Sequence, residues 1–168
     1  MQKAEFWIRH LQLEPHPEGG YYRETYRSKE TYAFGSGTTF GSPRNHATAI
    51  YYLLRTGERS RLHSILSDEL WFYHAGLPLT VHIFPLSGNP SAFTLGADPE
   101  QGHLQQGCVP AGCRFGASQT HNIPEKDGYS LVSCVVAPGF DFRDFTFAEK
   151  GPLLARWPAY AELIDYLA

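Results

Sequence analysis

The segment Gly57 to Gly76 constrains this chain more than any other. It reads Gly57-Glu58-Arg59-Ser60-Arg61-Leu62-His63-Ser64-Ile65-Leu66-Ser67-Asp68-Glu69-Leu70-Trp71-Phe72-Tyr73-His74-Ala75-Gly76. Two β-prone runs flank the turn Leu66-Ser67-Asp68, and a glycine closes each end. Side chains alternate between faces along a strand. His63 therefore shares a face with Ile65, and Glu69 shares one with Trp71 and Tyr73, while Leu70, Phe72 and His74 take the other. If His63 and Glu69 point into an enclosed space, Trp71 and Tyr73 line it too. A base, an acid, a phenol and a flat apolar wall then meet, which is the make-up of a ligand pocket.

The remainder of the chain supplies walls for such a pocket. Its 168 residues suit one domain, 1–168, with enough core to need no disulfide. The aromatic fraction of 14% is mostly Tyr and Phe, which favour strands, and 16 Gly and 12 Pro fall between short apolar runs. The pattern predicts strands near 21–27, 47–54, 59–65, 69–75, 78–84, 93–96, 104–109, 113–117, 129–137 and 142–147. A helix is expected over 2–11, where Ala4, Trp7, Ile8 and Leu11 recur at helical spacing, and a helical segment over 152–167. Residues 28–46 are rich in Ser, Gly and Thr and read as an exposed loop. The whole is an all-β barrel or sandwich over about 20–147, with a short helix at each end.

Net charge is −3 and no basic stripe is present, so no nucleic-acid partner is expected. No apolar run approaches the ~20 residues that span a bilayer, so no membrane partner is expected either. The N-terminal residues carry an acid early and no apolar stretch, unlike a secretory leader. Cys108, Cys113 and Cys134 fit reduced, mostly buried thiols, and the expected location is cytoplasmic.

The spacing in Gly57–Gly76 resembles the first motif of the cupins: Gly, five residues, His-any-His, three residues, Glu, six residues, Gly. Ile65 stands where the second histidine would be. Val109-Pro110-Ala111-Gly112-Cys113-Arg114-Phe115 resembles the second motif, with Phe115 at the third histidine position and Gln119 at the asparagine. Further segments look like one branch, the bacterial and fungal proteins grouped as the fifth cupin family. They are Pro15-His16-Pro17-Glu18-Gly19-Gly20-Tyr21-Tyr22-Arg23-Glu24-Thr25-Tyr26-Arg27-Ser28, Leu53-Leu54-Arg55-Thr56-Gly57 and Ala137-Pro138-Gly139-Phe140-Asp141-Phe142-Arg143-Asp144-Phe145. The resemblance implies a double-stranded β-helix, the jelly-roll barrel of the rhamnose-pathway epimerase, and a homodimer.

From these residues the expected catalytic set is His63, Glu69 and Tyr73, with His63 as general base and Glu69 orienting its ring. Tyr22, Arg23, Trp71 and Phe115 are expected to bind the ligand, Arg23 through an anionic group. The ligand expected is a small polar molecule of sugar or nucleotide type. No cofactor is expected. Ile65 and Phe115 cannot bind a cation, so any divalent metal would rest on His63 and Glu69, short of the usual three or four ligands. His46, His74, His82, His103 and His121 offer no ligand spacing. Glu18 and Glu24 read as edge-strand charges. Three readings stand: a metal-independent epimerase or isomerase, a non-catalytic binding or sensing module, and a metal-dependent enzyme with atypical ligands.

Overall fold

The architecture is that of a computed structural model, which describes residues 2–35, 39–119 and 128–168. In chain order it begins with helix α1 (Ala4–His10), followed by strands β1 (Glu14–Pro15), β2 (Tyr21–Arg27), β3 (Thr31–Tyr32), β4 (Arg44–Asn45) and β5 (Thr48–Arg55). The motif segment forms β6 (Arg59–Ser64) and β7 (Asp68–Gly76), and β8 (Leu79–Phe84), β9 (Ser91–Leu95), β10 (Gln106–Val109) and β11 (Arg114–Gln119) follow. β12 (Tyr129–Ala137), β13 (Thr146–Phe147) and helices α2 (Lys150–Arg156) and α3 (Ala161–Leu167) complete it.

Two antiparallel sheets face each other. One runs β1-β2-β5-β12-β7-β10 and the other β13-β6-β11-β8-β9. This is the jelly roll that the cupin resemblance implied. The two halves of the motif lie in opposite sheets: β6 pairs with β11 and β13, β7 with β12 and β10. β5 is apolar on both faces because both are covered. Tyr52 and Leu54 enter the barrel core, while Leu53 packs outward with Ala4 and Leu13.

The terminal helices cover sheet faces. α1 lies on the outer face of the first sheet, where the Trp7 indole donates to the Tyr129 hydroxyl at 2.7 Å. The C-terminal helices bring Leu153, Ile164 and Leu167 onto Leu62 and Phe84 of the second. Their apolar stripes would be a liability in water and close two of the three apolar clusters here.

Two sequence expectations change. Residues 28–46 include a small ladder of β3 against β4, and Arg44 within it is buried. Only Thr146–Phe147 of the strand expected at 142–147 forms, because Phe142–Asp144 is a 3-10 turn capped by the Asp141 carboxylate accepting from the Arg143 N–H. One contact explains both. Arg44 Nε and Nη2 donate to the two oxygens of the buried Asp144 carboxylate at 2.6 and 2.5 Å. Arg44 Nη1 donates to Ser42 and Pro43 oxygens. The pair staples the excursion after β2 to the turn before β13. Both charges are fully bonded, which a buried pair requires.

Removing one partner leaves a buried charge unpaired. Arg44→Ala is expected to lower unfolding free energy by about 3–5 kcal/mol in urea titration, and Arg44→Met with Asp144→Leu by markedly less.

Candidate functional site

The turn Pro15–Gly20 positions the decisive groups. Gly19 and Gly20 have φ of +115° and +68°, and a Cβ on Gly19 would sit 2.2 Å from the Arg59 carbonyl. Only glycine allows the turn to lie so close to β6. Once there it is stitched from both sides: the Arg61 N–H donates to the Glu18 carbonyl at 2.9 Å, and the Tyr52 hydroxyl to the Gly19 carbonyl at 2.8 Å. His16 and Glu18 are thereby carried into the barrel.

Glu18 is buried, with 6% of its surface exposed. One carboxylate oxygen accepts from the Ser60 hydroxyl at 2.9 Å, and the other lies 3.1 Å from His63 Nε2. His63 Nδ1 is 2.6 Å from the Arg61 carbonyl. A carbonyl only accepts, so Nδ1 carries a hydrogen, and Nε2 is the ring nitrogen that faces Glu18. The ring is wedged between Phe115 and Phe145, at 4.2 and 5.0 Å between centroids. Nearby, His16 Nδ1 accepts from the Glu18 N–H at 3.3 Å. Burial holds the His16 pKa below its usual value, with Glu18 opposing and His63 adding to the shift. His16 is therefore a neutral imidazole near pH 7.

Glu69 enters from the opposite sheet. It is buried beside Trp71 and Cys134, and its pKa is pushed up to about 8, first by burial and then by the Glu18 carboxylate. The Trp71 indole N–H and the Cys134 thiol ease its ionisation slightly, yet the indole N–H completes no hydrogen bond. Burial and the two carboxylates push the Cys134 thiol well up as well. Glu69 is thus a neutral carboxylic acid at pH 7, facing a carboxylate–imidazole pair.

These groups line a cavity of about 140 Å³. Its aromatic walls come from Tyr22, Tyr52, Trp71, Phe140 and Phe142, and Ile65 lies beside His63. The far end of the barrel is hydrocarbon, built from residues such as Leu54, Leu79, Val81 and Val132. An engineered apolar cavity of roughly 150 Å³ holds benzene, so the space has room for a molecule of about that size.

His63, Glu69, Tyr22 and Trp71 of the expected set meet here. Three others do not line the cavity. Tyr73 lies two residues, about 7 Å, along β7 from Trp71 toward the filled end, and its hydroxyl donates to the Gly76 carbonyl at 2.7 Å. Phe115 is core, packed behind the His63 ring. Arg23 turns outward and donates to the Leu11 carbonyl and the Gln12 side chain, tying down the end of α1. The carboxylate that holds His63 is Glu18, not Glu69, because β6 and β7 belong to different sheets. Arg27 is the cavity's arginine, and it is fully engaged. It donates to both Glu24 oxygens at 2.9 and 2.6 Å, to Asn45 Oδ1 and to the Phe140 carbonyl. His74 is exposed, His82 lies 3.3 Å from the Ser118 hydroxyl, His103 accepts from the Asp98 N–H, and His121 lies outside the described residues.

His16 and Glu18 are the residues that sequence reasoning passed over. The available signal was a His-any-Glu step enclosed by two prolines and two glycines. Such a stretch makes a rigid turn, and a rigid turn can place charge inside a barrel.

The family comparison settles the lineage of this site. The model of the cupin superfamily family Cupin_5 (DUF985) matches residues 5–148. The chain belongs to this cupin family. An uncharacterized protein of Saccharomyces cerevisiae is 37% identical over 147 residues, 83% of this chain and 72% of the yeast protein. Among solved structures, a hypothetical protein from Leishmania major is 39% identical with a TM-score of 0.88, covering 99% of each chain. A Shewanella oneidensis protein is 40% identical with a TM-score of 0.84, covering 100% of this chain and 98% of its own. A Bacillus subtilis oxalate decarboxylase, 16% identical with a TM-score of 0.55 over 93% of this chain and 37% of its own, shares the fold alone.

The donor set of this cupin does not fit a bound metal ion. Where the motif resemblance asks for ligand histidines, it carries the cavity wall Ile65 and the core ring Phe115. His63 turns Nδ1 to a carbonyl. Among the described residues, no three His, Cys, Asp or Glu side chains are placed to hold an ion. Also among them, no helix is long and apolar enough to cross a membrane.

The raised Glu69 pKa has a stability consequence. The unfolded state loses this proton near the ordinary value of 4.5 and the folded state near 8. The stabilisation is complete below the lower value and is lost as pH rises through the upper one. Unfolding free energy should therefore fall between pH 5 and pH 8 by a few kcal/mol, at about 1.4 kcal/mol for each pH unit between the two values. Glu69→Gln should flatten this slope in urea titrations. Infrared difference spectra should show a protonated carboxyl band at pH 7 that disappears by pH 9 and is absent from the variant.

Proposed function

We propose that the cavity binds a small polar molecule and shifts a proton on it without a metal, as an isomerase or epimerase does. The observation that carries this reading is the presence in one cavity of two carboxyl groups in unlike surroundings. Glu18 is hydrogen-bonded by Ser60 and faces His63, whereas Glu69 is held neutral by burial. Environments that push two acids apart assign them the roles of base and acid.

In this reading Glu18 takes a proton from the substrate, and His63 is a positioning residue whose Nε2 holds the Glu18 carboxyl in place. Glu69 gives its proton to a second atom of the substrate. The substrate leaves as an isomer, Glu18 is protonated, Glu69 is ionised, and exchange with solvent restores both. Tyr22 and Trp71 bound the space in which the molecule lies. The absence of any unpaired cation lining the cavity among the described residues disfavours a phosphate-bearing, nucleotide-like ligand, since Arg27 is consumed by Glu24. A second reading, binding without reaction, is favoured by one fact: both His63 nitrogens are already engaged.

Solvent deuterium separates the two. The protein is incubated in D2O with a panel of small hydroxy acids, ketoses and amino alcohols, and carbon-bound deuterium is followed by NMR. At least one compound should exchange, and Glu18→Gln and Glu69→Gln should each slow exchange by about 10²–10⁴-fold with near-UV circular dichroism unchanged. His63→Asn should slow exchange and shift its pH profile. The wild-type rate should fall as pH rises through about 8, where Glu69 loses its proton. Tight binding of a panel compound with no exchange would establish the non-catalytic reading instead.

A further inference from the structure

We infer that the molecule taken by this cavity is a small organic cation, a primary ammonium compound bearing a hydroxyl or carbonyl acceptor. The inference rests on the small-molecule reading above and names its ligand class. Four carboxyl groups line the cavity: Glu14, Glu18, Glu24 and Glu69. Arg27 is the lining arginine; Glu24 already takes the Nε–Nη2 edge of its guanidinium, and Asn45 and the Phe140 carbonyl take Nη1. An ammonium group entering here meets Glu18 from the turn between β1 and β2 and Glu69 from β7, and finds no unpaired cation to repel it among the described residues.

The walls suit the same occupant. Tyr22, Tyr52, Trp71 and Phe142 surround the space, and aromatic faces attract a desolvated cation through their quadrupole. Tyr52 and Trp71 lie edge to face with centroids 5.9 Å apart, forming a corner. A second observation points to a ligand independently. Trp71 lines the cavity and is only 1% exposed, and its indole N–H, near Glu69, completes no hydrogen bond. A buried donor left unpaired is costly, and a hydroxyl or carbonyl on the ligand would satisfy it. The enclosed volume of about 140 Å³ limits the buried part to roughly the size of benzene.

Cation binding is coupled to protons here. Glu69 is faced by Glu18 from the turn, His63 from β6, Tyr52 from β5 and Cys134 from β12, with His16 nearby. Tyr52 and Cys134 are held neutral by burial, and so is His16 at pH 7. An arriving ammonium therefore draws the proton off Glu69, the group nearest to ionising as pH rises through about 8.

Calorimetry on the intact chain tests this with ethanolamine, its uncharged isostere 1-propanol, and the anion glycolate. Ethanolamine should bind at least tenfold more tightly than either, tighten from pH 6 to pH 8, and release protons at pH 7 when titrated in buffers of different ionisation enthalpy. Glu18→Gln should weaken it at least tenfold. Trp71→Phe should weaken ethanolamine more than methylammonium, which lacks the acceptor. Equal binding of ethanolamine and 1-propanol, tighter binding of glycolate, or no binding of either amine overturns the inference, and the wild-type comparison stands even if a variant misfolds. The readout is independent of turnover. Amine binding with no deuterium exchange retains the ligand class and removes the acid–base reaction, whereas exchange confined to neutral or anionic compounds does the reverse.

Discussion

A carboxylate buried inside a β-barrel needs compensation, and the contacts around Glu18 supply it. Two polar partners meet its oxygens, the Ser60 hydroxyl and the His63 ring. Both partners lie on β6, three residues apart, with a register shift against β11 between them that breaks the strict alternation of faces. The turn that delivers Glu18 depends on two glycines with positive φ and on backbone bonds to β6 and a hydroxyl bond from β5. Its charge then acts at a distance. It adds to the burial of Glu69 in keeping that carboxyl protonated, and it raises the proton affinity of Tyr52 and Cys134. Burial first, with the nearby Glu18 adding to it, keeps these neighbours neutral, which is how a small cavity tolerates so many titratable side chains.

The barrel was legible in the sequence because period-two patterning and turn residues are local signals. β2 and β12 fall where apolar alternation puts them, and the two-sided apolar run of β5 reflects covered faces. His63, Glu69 and Trp71 were legible for the same reason, since alternation fixes their faces once a barrel is assumed. What alternation cannot supply is distance along a strand or a break in its parity. Tyr73 has the right face but the wrong height, beside the filled end. Arg23 and Arg27 share a face in an ideal strand, yet β2 has a register shift against β5 between Glu24 and Tyr26. A bulge of this kind inverts the parity. Tyr22 and Glu24 line the cavity before it and Arg27 after it, while Arg23 is left outside.

Glu18, His16, Arg44 and Asp144 were illegible for a different reason. His16, Glu18 and Arg44 lie in segments without period, and Asp144 lies in one whose aromatic residues read as a strand. Their burial depends on partners far along the chain: Arg44 meets Asp144 a hundred residues away, and Glu18 meets Ser60 across forty-two. No local pattern encodes such pairs. The 3-10 turn at Phe142–Asp144 follows the same logic, since aromatic residues that favour a strand are overruled by a carboxylate needed at a fixed place.

Ile65 and Phe115 link the two kinds of information. Read as motif positions they are missing donors. In the folded barrel they are gains in apolar surface, one lining the cavity beside His63 and one backing its ring. Apolar walls lower the local polarity, and low polarity is the first cause of the raised Glu69 pKa. Histidines at those positions would bring polar nitrogens and competing hydrogen bonds to Glu18 and Glu69, and the two carboxyl groups would no longer differ so widely in proton affinity. The replacements that remove a ligand set therefore also make the surroundings of Glu69 more apolar, and under the proposed reading that is what fits Glu69 to act as the acid.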